Sequence, residues 1–287
     1  MKIAMLVRYF PPESLGGGEK YMEEVWKRAK EKYDMDLISG WKNDPSLLPE
    51  NTKSVKLRSE NRYYNYYKFY KFSQKALKQI NPNVVHASCY EIPIIKPTII
   101  TVCHLGHLMG HVNGAQFRIL QKKLSVNRFK KASKVVAISN STKNDLMRMG
   151  LKEIEVAYPG IDTALFKPKK NINDKFLFVY PSRISQEKGH HIIIKAVREL
   201  PKDILKEIEI ILVGFISDRE YFESLQKESR DLPIRFETNV SSIVPYYQKA
   251  DVILFPTLMY EGFGFTAAEG LACDKPVISS DFPSIRE

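Results

Sequence analysis

The chain has 287 residues, 44% of them hydrophobic, with three cysteines and a formal net charge of +11. That length suits about two domains with ample core, and Cys89, Cys103 and Cys273 form neither an even set nor a Cys-x-x-Cys pair, which argues against a disulfide framework or a cysteine zinc site and for a reducing compartment. No apolar run approaches the roughly 18–20 residues of a membrane span, and no h-region with a cleavage site opens the chain, so neither a spanning segment nor a secretory signal is expected.

Residues 3–7 read as a first strand and 19–32 as a helix with Tyr21, Val25, Trp26 and Ala29 inward. Strand candidates follow at 36–38, 84–87, 98–103, 135–139 and 155–157, with helical patterns around 68–79, 115–131 and 141–149 between them. Strands alternating with helices predict parallel sheet built from βαβ units. The continuously apolar Val135-Val136-Ala137-Ile138 is what a sheet covered on both faces requires. A hydrophilic stretch at 167–175, with Pro168 and two asparagines, reads as an interdomain linker, which divides the chain into 1–167 and 168–287. The alternation then restarts: strand 176–180, helix 190–200, strand 208–213, helix 219–230, strand 234–236, helix 243–249, strand 252–255, helix 266–273, strand 277–279. The expected fold is α/β, two Rossmann-like doubly wound domains facing across a cleft, with ligands at the carboxyl ends of the strands.

The most informative residues are Glu261-Gly262-Phe263-Gly264-Phe265 and Glu269. Two carboxylates eight positions apart bracket a Gly-Phe-Gly turn between a strand and a helix. Unpaired N–H groups at a helix start suit an anion or sugar hydroxyls, and glycines allow close approach. A plainer reading is that Thr266 and Glu269 form a capping box, though that leaves Glu261 and the glycines unexplained. In the same domain, Arg183 and Lys188 lie five apart in a strand-to-helix turn, spaced to reach one diphosphate. Taken alone they would be solvated surface cations; beside a second anion site they read as binding groups. Gly16-Gly17-Gly18 opens the first helix after Pro11-Pro12, a weaker anion-accepting loop. His104 closes the strand at 98–103, where a side chain can reach substrate, although a structural histidine is the commoner outcome. His104, His107 and His111 have helical metal-ligand spacing, but Gly106 and Gly110 weaken a helix and no carboxylate lies nearby, so no metal site is expected.

Charge is unevenly placed. Residues 1–168 hold 28 Lys/Arg against 15 Asp/Glu, a net +13, and the remainder is −2. Arg118, Lys122, Lys123, Arg128, Lys130, Lys131 and Lys134 crowd one acid-free stretch with a greasy flank, and 62–78 interleaves lysines with tyrosines and phenylalanines. Cationic amphipathic segments with interfacial aromatics suit an anionic membrane surface. The plain alternative is core-packing helices with solvated faces. No recognition motif points to nucleic acid as the partner.

Together these residues resemble the GT4-type family of retaining glycosyltransferases, with a GT-B fold. The resemblance runs the length of the chain. It is carried by Pro11-Pro12 through Glu19, Val136-Ala137-Ile138-Ser139, Tyr158-Pro159-Gly160-Ile161-Asp162 with Phe166-Lys167-Pro168, Arg183 to Lys188-Gly189, and Glu261 to Glu269. It implies a nucleotide-diphosphate sugar as donor and no metal or other cofactor. By resemblance, Arg183 and Lys188 bind the diphosphate and stabilise the leaving charge. Gly16 and Gly17 approach the same phosphates, and Glu261 with the Gly262, Phe263 and Gly264 turn holds the donor sugar. Glu269 accepts from the ribose hydroxyls, and His104 is the acceptor-side histidine. Leu105 departs from the Asp or Gly often found after that histidine. The chain ends where family members usually continue, so a second domain truncated at its C-terminus is expected.

The expected function is a metal-independent, hexosyltransferase-like enzyme on the cytoplasmic side, peripheral at a membrane, with a lipid-linked or polysaccharide acceptor. The alternatives are transfer to a small soluble acceptor and a truncated, non-catalytic relative that binds nucleotide sugar or membrane.

Overall fold

The structure, a computed structural model, describes residues 1–12, 16–88, 92–103, 105, 124–170 and 172–287. They form two compact units, Met1–Pro159 and Gly160–Glu287.

The first unit is built on seven parallel strands: β1 Lys2–Tyr9, β2 Asp34–Trp41, β3 Lys53–Lys56, β4 Val84–Ala87, β5 Thr98–Val102, β6 Lys134–Ala137 and β7 Ile154–Val156. Their spatial order is β3-β2-β1-β4-β5-β6-β7, so the winding reverses between β1 and β4. Side chains on β1 alternate between two cores, as a strand period of two dictates. Ala4 and Leu6 enter one cluster with Ile38, Val85 and Ile100, while Met5 and Val7 enter another with Phe10 and Met22. Both faces are therefore covered, the condition for an all-parallel sheet. Helix Gly17–Ala29 packs Met22, Tyr21, Val25 and Trp26 into the second cluster.

Helix Arg62–Ile80 starts six residues before the position its apolar pattern suggests. The Asn61 side chain accepts from the Tyr63 and Tyr64 N–H groups, and Asn81 closes the helix in the left-handed region at φ +49°. Strand β3 was not anticipated from the sequence. It is an edge strand in which Val55 is the only apolar residue, and flanking lysines suit an edge facing water.

The second unit has five parallel strands: β8 Phe176–Pro181, β9 Ile208–Val213, β10 Ile234–Glu237, β11 Val252–Phe255 and β12 Val277–Ser279. They are ordered β10-β9-β8-β11-β12, with the reversal between β8 and β11. Leu177, Val179, Ile211 and Ile253 pack on one face, and Tyr180, Ile210, Leu212 and Phe255 on the other. Short helices Lys202–Glu207 and Pro283–Arg286 were not anticipated; at six and four residues they carry too little periodicity to stand out. Both units are thus Rossmann-like and doubly wound, the α/β class expected.

Candidate active site

In a doubly wound sheet, ligands bind beyond the carboxyl ends of the strands where the winding reverses. In the second unit that point lies beyond Pro181 of β8 and Phe255 of β11. The loop after β8 carries Arg183 and Lys188, and the loop after β11 carries Glu261 and Gly264. The Lys188 Nζ donates to Glu261 Oε1 at 2.5 Å, and the two side chains are only 16% and 15% exposed. Thr257, buried at the start of the second loop, donates to the same oxygen at 3.2 Å.

The two loops hold each other in place. The Leu258 N–H donates to the Glu187 carbonyl at 2.9 Å, and the buried Tyr180 hydroxyl donates to the Lys188 carbonyl at 2.7 Å. Ser284 Oγ supports the far side by donating to the Glu261 carbonyl at 2.5 Å. Gly189 follows Lys188 in the left-handed region at φ +73°, and a Cβ there would run into the Pro256 carbonyl oxygen. Lys188 closes a short 3-10 turn, Gln186–Lys188, just before helix His190–Arg198. A cation is unfavourable near a helix start; here the Glu261 carboxylate supplies the compensating charge.

Helix Phe265–Ala272 begins at an N-cap of Gly264, at φ +93° and with no side-chain cap. Thr266 is therefore inside the first turn and no Thr266–Glu269 capping box exists. Glu269 faces another partner: the fully buried Tyr247 hydroxyl donates to its Oε2 at 2.5 Å. Burial, and then the Glu269 charge, raise the Tyr247 hydroxyl well above its ordinary value. Phe263 and Phe265 stack edge to face with centroids 5.1 Å apart, framing the glycine turn.

Arg183 pairs with Glu187 at 2.7 Å on a more open part of the loop. In the first unit, Gly16 is the N-cap of helix Gly17–Ala29, and Gly17 is its first residue. Gly18 packs so closely on the end of β5 that an added Cβ would lie 3.1 Å from the Cys103 Cβ. Of the basic residues, Lys130 and Lys131 are exposed, and the Arg128 guanidinium lies 5.1 Å from the Tyr70 ring centroid. His104, Arg118, Lys122 and Lys123 lie outside the described residues, as do His107 and His111. Among the described residues, no group of three or more His, Cys, Asp and Glu side chains is placed to hold a metal ion.

Sequence reasoning missed Tyr180, Tyr247, Thr257 and Ser284. For Tyr247 a signal existed: a buried tyrosine hydroxyl needs a partner, and this one sits on the inward face of a short helix.

Residues 15–165 match the family model for Glycosyltransferase Family 4, and residues 162–287 match that for Glycosyl transferases group 1. The chain belongs to glycosyltransferase family 4. Among relatives of this family 4 chain, the uncharacterized glycosyltransferase MJ1069 of Methanocaldococcus jannaschii is 26% identical over 170 residues, 55% of this chain and 43% of its own length. The O-antigen chain mannosyltransferase RfbU of Salmonella typhimurium is 27% identical over 219 residues, 72% of this chain and 58% of its own. A D-inositol 3-phosphate glycosyltransferase of Paenarthrobacter aurescens is 29% identical over 149 residues, 46% of this chain and 36% of its own. The matched part thus spans about half the length of such relatives. Two solved structures share the fold: Anabaena Alr3699/HepE in complex with UDP and glucose, and WaaG, a glycosyltransferase involved in lipopolysaccharide biosynthesis. The first has a TM-score of 0.76 at 18% identity, covering 100% of this chain and 82% of its own. The second has 0.78 at 16%, covering 96% and 80%. The family 4 chain therefore has the GT-B class of fold that its sequence resembles.

Proposed function

We propose that this family 4 protein transfers a sugar from a nucleotide-diphosphate sugar to a lipid-linked or polysaccharide acceptor at a membrane surface, with retention of configuration. The observation that carries the reading is the largely buried Lys188–Glu261 pair at the switch point of the second sheet. An ammonium has three N–H donors and spends one on Glu261. A diphosphate oxygen is the natural acceptor for the others, and Arg183 adds a permanently charged planar fork on the same loop. As the bond between donor sugar and diphosphate breaks, negative charge grows on the phosphate, and fixed cations stabilise it most at that moment. No metal is required for that task. Glu261, with Gly262 and the Phe263 and Gly264 amides, would hold the donor sugar, and Glu269 the ribose. Gly16, Gly17 and His104 take their phosphate and acceptor roles from the family resemblance alone. UDP is the first nucleotide to test, because HepE was solved with it.

Helix Arg62–Ile80 supports the membrane part of the reading. Tyr64, Tyr67, Lys71, Lys75 and Lys78 are exposed at helical spacing, while Phe69, Ala76 and Leu77 are buried. That is a cationic face with interfacial aromatics. Among the described residues, no helix is long and apolar enough to cross a membrane; the reading places the protein peripherally, on the cytoplasmic face. Names of relatives, an O-antigen mannosyltransferase and a lipopolysaccharide enzyme, fit a lipid-linked or polymeric acceptor. The D-inositol 3-phosphate glycosyltransferases favour a second reading, a small soluble acceptor.

Radiolabelled UDP-, GDP- and ADP-sugars, offered with a bacterial lipid-linked glycan extract or with inositol phosphate, separate these readings. The first predicts label in the lipid or polymer fraction, lowered about 100-fold or more by Arg183→Ala with Lys188→Ala. Label only in inositol phosphate selects the second. Label in neither, from a folded chain, contradicts both.

A further inference from the structure

The Glu269 carboxylate is held from behind. Tyr247 lies on helix Val244–Lys249, fully buried among Leu177, Val179, Ile211 and Ile253. Its ring meets Phe166 edge to face, with centroids 5.4 Å apart. A ring packed on these sides has no free torsion, so its hydroxyl is a fixed point in the unit. That point lies 2.5 Å from Glu269 Oε2. Because burial and the Glu269 charge both disfavour ionisation of the phenol, it keeps its proton and acts as a donor. In that bond Glu269 Oε2 is the acceptor. With Oε2 tied to a fixed hydroxyl, the carboxylate is anchored at one of its oxygens. Glu261 is likewise anchored at one oxygen, by Lys188 and Thr257.

We propose that Tyr247 is a positioning residue that orients the Glu269 carboxylate to accept hydrogen bonds from the ribose hydroxyls of a nucleoside diphosphate, and thereby sets the preference for ribose-bearing ligands. The proposal rests on the reading of Glu269 given above and adds the group that makes it selective. A hydroxyl pair can be told from its absence only if the acceptor is already aimed; a swinging carboxylate would be satisfied by water in either case.

A merely structural Tyr247–Glu269 bond, tying one helix to another, would affect all ligands of the site alike. The test is therefore a ratio. UDP, GDP and ADP, and the 2′,3′-dideoxy form of each, are titrated calorimetrically into the 287-residue chain, Tyr247→Phe and Glu269→Ala. The unaltered chain is expected to prefer the ribonucleotide. Tyr247→Phe, which keeps the ring packing, should lose about tenfold of that preference while dideoxynucleotide affinity stays within about twofold. Glu269→Ala separates the two ideas. If it leaves the preference intact, or if the unaltered chain shows none, Glu269 does not bind ribose and the proposal falls with that reading. If Glu269→Ala abolishes the preference and Tyr247→Phe leaves it intact, Tyr247 has no positioning role. Should Tyr247→Phe not fold, 3-fluorotyrosine placed at 247 keeps ring and hydroxyl but makes a stronger donor; a changed ratio supports the proposal and an unchanged one overturns it.

Discussion

Gly189 shows how narrowly the residues of the site are placed. It lies between Lys188 and the helix, at a positive φ and against the Pro256 carbonyl, so it is where the loops after β8 and β11 touch. Gly189→Ala should destabilise the chain by about 1–3 kcal/mol, from strain and forced separation of the loops. It should also pull Lys188 from Glu261. Gly160 is the control: nothing lies within 4 Å of its would-be Cβ, and Gly160→Ala should stay within about 0.5 kcal/mol. Urea denaturation of both variants checks this, and equal stabilities would contradict it. At this scale the sequence was legible where charge meets a glycine turn. Lys188, Glu261 and Glu269 stand out because ionisable groups beside glycines between strand and helix have few structural uses. Their supports did not stand out, since Thr257 and Tyr180 look like ordinary strand-end residues until the fold aligns them with a carboxylate or a carbonyl 4–8 residues away.

Elements were legible in proportion to their periodicity. The buried strands β1, β6, β8, β9 and β11 are each built on a continuous apolar run of three or more residues, and they appear where those runs are. Ends set by hydrogen bonding were less readable. Helix Arg62–Ile80 starts at an Asn61 cap that its apolar stripe, beginning later, does not mark. Its outer face carries a further prediction. Tyr64→Ser with Tyr67→Ser, Lys71→Glu and Lys75→Glu changes only exposed positions. Each lysine near an anionic surface contributes about 1 kcal/mol, so sedimentation with phosphatidylserine-containing vesicles should fall at least tenfold while thermal stability holds. Retained sedimentation would remove this helix from the account of the membrane.

For the whole chain, charge and chemistry divide between the two units. The first half holds the net +13, and the second, at −2, holds paired cations and carboxylates at the reversal of a five-stranded sheet. The doubly wound class was legible from strand–helix alternation alone. The strand orders were not, because periodicity says which residues are buried but not which strands are neighbours. The central claim is that the second unit's switch point takes a nucleoside diphosphate through Arg183 and Lys188. Metal-free calorimetric titration of the 287-residue chain with UDP, GDP and ADP, repeated on the Arg183→Ala/Lys188→Ala variant, tests it directly. The account predicts that one nucleotide binds and that the double variant binds it at least 100-fold more weakly, since two charge-assisted contacts of about 1.5–3 kcal/mol each are lost. A folded chain that binds none of the three, or a variant that binds as tightly as the original, would contradict it.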